Sequence, residues 1–293
     1  KFQDGSDTPR AYLERCLETI AEREPAVKAY VTLNEDGARE AADASTQRYK
    51  DGKPLSAIDG LPISIKDLLE TKDMPTQMGC EAYAGNFPKN DNAAVWALRE
   101  AGAVVLGKTV TTEFGHRFPG KTRNPFNPKH TPGGSSSGSA AAVGDKMIPF
   151  AYGTQTTGSV IRPSAFCGTV GYKPTYGDIN NNGVMPNSPT LDTIGAITRS
   201  VEDLALVRSV LLEEPLMALN PPAVRDLRIG LYRSPFWDRA ERDTQSHLES
   251  AAGKLAGMGA KVSDAALAGI TIDFEQLFQV ISGFEFSRTV SWE

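Results

Sequence analysis

Between Thr131 and Arg162 the sequence reads TPGGSSSGSAAAVGDKMIPFAYGTQTTGSVIR. Two serine- and glycine-rich clusters, Gly133–Ser137 and Thr156–Ser159, bracket a small-residue, helix-like piece over Gly138–Val143 and an apolar, strand-like run over Met147–Tyr152. Serine and glycine build poor cores. A chain that places them on both sides of a helix and a strand is expected to form a site from backbone amides and hydroxyls. Glycine lets a ligand approach the main chain closely. Successive N–H groups at a helix start form an anion pocket.

A second unusual feature lies upstream. The run Leu61–Leu69, LPISIKDLL, alternates in part and reads as a buried strand with Lys66 inside it. An unpaired ammonium in such a place is costly. Read from the residues alone, the plainer alternative is a lysine at a strand end with its head in water.

The remaining pattern alternates helices and strands. Helices are expected over Thr8–Glu24, with Ser6 or Thr8 as cap and Pro25 after its end, and over Asp36–Asp51, Asp91–Ala101, Val201–Leu212 and Arg242–Met258. Strands are expected at Ala29–Leu33, Val104–Lys108, Leu227–Tyr232 and from Ala260 to Val262. Thr111–Pro132, rich in Gly, Pro and Asn, reads as a long surface loop, and Asn180–Gly195 also reads as loop. The chain ends in a helix-like segment from Phe274 to Glu293. This order implies an α/β fold with a mixed sheet. The N-terminal helical section, residues 1–52, is amphipathic and carries no chemistry; its expected use is packing or contact in a homodimer.

Charge and composition narrow the function. A net charge of −5 over 293 residues gives no basic footprint for nucleic acid. No apolar run approaches the length of a membrane span. Three cysteines, Cys16, Cys80 and Cys167, are an odd number without paired spacing, which points to a reduced, cytoplasmic setting. No targeting leader is read at the start, although the chain does not begin with Met and N-terminal residues are expected to be missing.

GGSSSGSAAAV, GTQTTGS and RPSAFCGTVGYKPTYG, in that order, resemble the amidase signature family, serine hydrolases that cleave amides with a Ser-Ser-Lys triad. GLPISIKD, DNAAVWALREAGAVVLGKTVTTEFG and SPTLDTIGAITRSVEDLAL extend the resemblance over roughly Tyr12–Val210. It implies a single amidase signature domain over 1–293: a mixed β-sheet core with helices on both faces, its catalytic core at 53–212. Family members are longer, so their C-terminal part is expected to be absent from this sequence.

The resemblance also assigns roles. Ser159 is the expected nucleophile. Ser135, after a Gly-Gly pair and on a cis peptide, is the relay. Lys66 is the base. The backbone N–H groups of Thr156, Thr157, Gly158 and Ser159 are the expected oxyanion hole; one such donor is worth about 3–4 kcal/mol. Ser136, Ser137, Arg162 and Asp192 are expected to support these groups, and Glu113 and His116 to line the substrate pocket. Cys167 reads as a core thiol. The substrate is a small-molecule amide, with no cofactor and no metal. The family commonly has an aspartate and a Gly-Gly before the nucleophile and an arginine two residues after it. Here Gln155, Thr157-Gly158 and Arg162 stand instead, as in a subgroup variant.

Other readings remain at this stage. From the residues alone, Ser159 could cap a helix, and Ser135 could belong to a flexible loop. Gly134–Gly138 fits G-x-S-x-G, and with Asp192 and His247 it follows the order of an α/β-hydrolase triad. Against this, the preceding NPKHTPG is a turn-rich loop rather than a strand, and His247 sits in a charged helix. Within the family, the chain could instead be an amidase-like subunit of a glutamine-dependent amidotransferase, or a truncated member kept for binding. A phosphate-binding loop is discarded, because the glycine-rich segment lacks G-K-[ST].

Overall fold

The structure, a computed structural model, describes residues 1–216, 218–266 and 273–291. The chain divides into two compact units, Lys1–Met217 with Val280–Glu293, and Ala218–Gln279.

The first unit opens with α1 (Pro9–Val27), capped by Thr8, whose hydroxyl accepts the N–H of Ala11 at 3.1 Å. It runs three residues past the expected end, through Pro25, to a left-handed Lys28. The strand β1 (Tyr30–Leu33) and helix α2 (Glu35–Lys50) follow. Next come β2 (Pro62–Lys66), α3 (Ala93–Glu100), β3 (Val104–Thr109), α4 (Ser137–Gly144), β4 (Phe150–Gln155), α5 (Ile161–Phe166), β5 (Val170–Tyr172), β6 (Thr193–Thr198) and α6 (Val201–Leu211). The six strands form one mixed sheet in the order β1-β3-β2-β4-β6-β5.

Alternation along the strands splits the core in two. Val104, Leu106, Ala151 and Ile197 pack with α1, α2 and α4 on one face. Ile63, Ile65, Val105, Phe150 and Tyr152 pack with α3 and α6 on the other. Helices therefore cover both faces, and the fold is a mixed α/β sheet as expected.

Two features of the sheet position the candidate site. β2 lies parallel to both β3 and β4, so Lys66 and the pair Thr154-Gln155 emerge at the same end of the sheet. β3 also carries a bulge. Ile63 pairs with Val105 but Ser64 pairs with Gly107, which leaves Leu106 as the extra residue. Beyond it Lys108 pairs with Ile65 and Thr109 with Lys66. The bulge thus moves Lys108 to the face opposite Lys66.

Three sequence expectations need correction. Thr193–Gly195, expected as loop, begins β6, a strand paired on both sides between β4 and β5, whose six residues are all buried. The short elements α5 and β5 were not anticipated. The Thr111–Pro132 segment is not wholly surface: Thr111, Thr112, Thr122 and Asn124 are buried. Thr122 donates to the Lys28 carbonyl at 2.8 Å and Asn124 to that of Phe166 at 2.9 Å. Side-chain bonds to the main chain let this polar segment sit inside.

The second unit is a βαβ turn: parallel strands β7 (Arg228–Tyr232) and β8 (Lys261–Ala265), linked through α7 (Arg242–Gly257). The last helix, α8 (Phe274–Thr289), contributes its residues from Val280 onward to the first unit. Residues 292–293 of the expected terminal helix lie outside the described residues. No described helix is long and apolar enough to cross a membrane.

Candidate active site

Lys66 is the last residue of β2 and its side chain is fully buried. Its amine lies 2.6 Å from Ser135 Oγ, 2.7 Å from Thr154 Oγ1 and 3.3 Å from the Thr154 carbonyl. All three partners are neutral oxygens. Burial brings the Lys66 amine down to about 7, against an upward pull from the Asp192 charge. A neutral amine fits this environment: two N–H groups donate to the two Thr154 oxygens, and the lone pair accepts the Ser135 hydroxyl. The sequence reading in which the lysine head reaches water is excluded.

Ser135 follows a cis peptide to Gly134 and is almost fully buried. Ser159 lies across from it, tied through its carbonyl to the Ser136 N–H at 3.1 Å. Among the described residues the Ser159 hydroxyl makes no hydrogen bond, so the link from Ser135 to Ser159 that the resemblance implies is not closed in this conformation. Nor does Ser159 cap a helix, because α5 starts after Val160 and has no side-chain cap. The backbone N–H groups of Thr156, Thr157, Gly158 and Ser159 also find no acceptor among the described residues. A turn with four free donors beside a hydroxyl can receive a developing negative charge.

The altered residues of this turn have separate jobs. Gln155 Oε1 accepts the N–H groups of Val160 and Ile161 at 2.9 and 3.0 Å, and its Nε2 donates to the Thr157 carbonyl at 3.2 Å. Gln155 therefore braces the turn from within. Arg162 instead donates to the Gly134 carbonyl, at 2.6 Å from Nη2 and 3.1 Å from Nε. Asp192 accepts the Thr156 hydroxyl at 2.5 Å and the N–H groups of Asn187 and Ser188 at 2.7 and 2.8 Å. Burial pushes its carboxyl above the ordinary range, against these hydrogen bonds and the Lys66 charge. Ser136 exchanges hydrogen bonds with the Thr154 main chain, both at 3.2 Å. Ser137 uses its hydroxyl on the Val110 carbonyl at 3.2 Å.

A cavity of about 10 Å³ adjoins these groups, with Ser135, Thr154, Thr156, Asn181, Asp192 and Gly115 in its lining. Glu113 and His116 flank Gly115 without lining the cavity, and the His116 ring stacks on Phe286 at 4.4 Å. The alternative triad finds no support. Its serines lie at the start of α4 with no strand leading into them, Asp192 is held by Thr156 and backbone amides, and the His247 ring contacts the Asp243 carbonyl in the exposed part of α7 at 2.7 Å.

The sequence matches the family described as Amidase over residues 11–291. This chain belongs to the amidase signature family. Among the curated members, a glutamyl-tRNA(Gln) amidotransferase subunit from Chloroflexus aurantiacus is 35% identical over 282 residues, covering 90% of this chain and 58% of that one. Among solved structures, an amidase superposes with a TM-score of 0.89 at 30% identity, covering 99% of this chain and 67% of its own. The native peptide amidase of Stenotrophomonas maltophilia gives 0.87 at 31% identity, with 99% and 65% covered. This chain thus spans about 58% of the length of the curated relative.

The motifs marked Lys66 and the two serines, but no sequence signal marked Thr154, which supplies two of the three oxygens around the Lys66 amine. The sequence reading also missed a second buried lysine. Lys108 is fully buried, 3.2 Å from Asp67 Oδ1, and donates to the Leu69 carbonyl at 2.7 Å and to Thr76 Oγ1 at 2.6 Å. A lysine in an apolar strand was a usable signal there too. Cys167 behaves as expected: it is buried, and its thiol is pushed up to about 12.

Proposed function

We propose that this chain carries the catalytic machinery of an amidase that hydrolyses the C–N bond of a small carboxamide through an acyl-enzyme on Ser159. Neutral Lys66 takes the proton of Ser135. Ser159 turns its hydroxyl onto Ser135, gives up its proton and attacks the amide carbon. The N–H groups of Thr156–Ser159 receive the oxyanion. The proton returns through Ser135 to the departing nitrogen, and water repeats the cycle on the acyl-enzyme. The observation that carries this reading is the buried Lys66 amine, without a carboxylate in contact and 2.6 Å from the Ser135 hydroxyl. Lys66→Ala is expected to abolish amide hydrolysis, while His247→Ala leaves it nearly unchanged. The reverse pattern overturns the assignment.

A second reading follows from the relatives named as glutamyl-tRNA(Gln) amidotransferase subunits. In it the same residues act on glutamine and the released ammonia is passed on within an assembly. Glutaminase activity that appears only with partner subunits would favour it over a free-standing amidase.

A further inference from the structure

We propose that Lys108 is a positioning residue for the reaction: its ammonium folds the loop after Lys66 into the wall that shields the Lys66 amine from water. The inference deepens the amidase reading and rests on it, because it concerns Lys66 as the base.

Lys108 does not reach Lys66 directly, since the bulge in β3 turns it to the opposite face of the sheet. Its amine instead meets four oxygens, all within the loop that follows Lys66. These are the Asp67 carboxylate at 3.2 Å, the Leu69 and Pro75 carbonyls at 2.7 and 3.5 Å, and the Thr76 hydroxyl at 2.6 Å. An ammonium has three protons to give, and the three shorter contacts account for them. The loop closes on itself around this cation. Asp67 also accepts the Gln77 N–H at 3.1 Å, and the Thr76 hydroxyl donates to the Leu69 carbonyl at 3.3 Å.

The loop carries one side of the site. Leu69 pairs with Val184 in an antiparallel bridge. On either side of it the Met185 N–H donates to the Leu68 carbonyl at 2.8 Å and the Glu70 N–H to the Gly183 carbonyl at 2.9 Å. Leu68, Val184 and Met185 line the small cavity together with Ser135 and Thr154, the two residues whose hydroxyls touch the Lys66 amine. At about 10 Å³ the cavity has room for about one water. A wall that moves outward admits more water, which solvates the ammonium form of Lys66 and favours it over the neutral amine.

The surrounding charges set the design of the test. Asp192 is the charged group that acts on Lys66; Asp67, Asp73 and Glu70 act on Lys108. Removing Lys108 alone would change the field as well as the wall. Removing Asp67 with it takes away no net charge, and no carboxylate is stranded.

The test is therefore the double variant Asp67→Leu with Lys108→Met, whose stability, read from the urea midpoint, is expected to be largely retained. Lysines isotope-labelled at Cε are titrated by NMR, and the Lys66 signal is the one missing in Lys66→Met. In the wild type it should titrate at about 7. In the double variant its midpoint should rise by about one pH unit or more, in the direction of added solvation, and the Met185 N–H should exchange faster. Thr76→Val removes one partner of the ammonium without touching a charge. It should move the midpoint the same way by a smaller amount, and it decides the matter if the double variant does not fold. An unchanged Lys66 midpoint in the folded variant overturns the positioning role and leaves the amidase reading standing. A wild-type Lys66 that titrates at the ordinary 10.5 overturns both.

Discussion

Lys66 and Lys108 stand on neighbouring strands of one sheet, both fully buried, on opposite faces. Lys108 touches a carboxylate, Asp67 at 3.2 Å. Lys66 touches only hydroxyls and a carbonyl. Burial pulls both amines down from the ordinary lysine value, but at Lys108 the Asp67 charge and hydrogen bond act against it directly. A buried ammonium beside its own carboxylate is a fixed structural pair. A buried amine among neutral oxygens is free to lose its proton near neutral pH. What separates a structural lysine from a candidate base is thus the nearest charge, since both are equally buried.

Swapping each lysine for methionine is the sharpest way to break this contrast. Under the proposed mechanism Lys66→Met lowers kcat/KM by on the order of 10²–10⁴-fold and leaves the protein folded. Lys108→Met strands Asp67 without its cation and is expected to cost about 3–5 kcal/mol of stability, read from the urea midpoint. Replacing Asp67 by Leu in the same chain should restore much of the loss. Equal destabilisation by both single variants would erase the distinction.

Titration sharpens it further. Activity should rise with pH on an acid limb set by the Lys66 amine at about 7 and then level off. The Asp192 charge favours the ammonium, so Asp192→Asn should move that limb to lower pH. A limb left in place by Lys66→Met would identify another titrating group. Stability carries the same sign. The folded-state value lies below the unfolded value of 10.5, so the cost of burying Lys66 is full below about pH 7 and is relieved as pH rises from there toward 10.5. Lys66→Met should remove the Lys66 share of that rise, while the share of Lys108, whose amine burial also pulls down, remains.

The smallest expected effect lies furthest from the lysines. Glu285 of α8 accepts the hydroxyls of Ser188 and Thr190, the latter at 2.7 Å, and so clamps the loop that presents Asp192 to Thr156. Glu285→Ala should speed hydrogen exchange at Asn187 and Ser188 and cost activity about two- to fivefold, in keeping with one lost hydrogen bond. Glu285→Gln, which can still bond both hydroxyls, should restore most of it. Unchanged exchange in Glu285→Ala would show that Asp192 holds the loop without help.

The alternation of helices and strands, the buried lysine strand and the two serine clusters were legible as local patterns, and the order of motifs carried the family. Those features depend on residues near one another in the chain, where periodicity and turn chemistry act directly. Other features had no local signal. Thr193–Thr198 was hidden because its first residues follow a loop-like run, and its pairing with β4 draws on residues some forty positions away. Thr154 comes to Lys66 through the parallel pairing of β4 with β2, and Lys108 is turned away from Lys66 by the bulge at Leu106. Gln155 and Arg162 stood out as departures, but whether they face each other or different carbonyls was decided by the fold of the turn. The sequence alone determined which side chains with chemistry are present and which elements carry them. The tertiary structure decided which oxygens and charges surround each amine, because strand register and sheet order are set by contacts between distant segments, and it is those neighbours that fix a buried group's protonation.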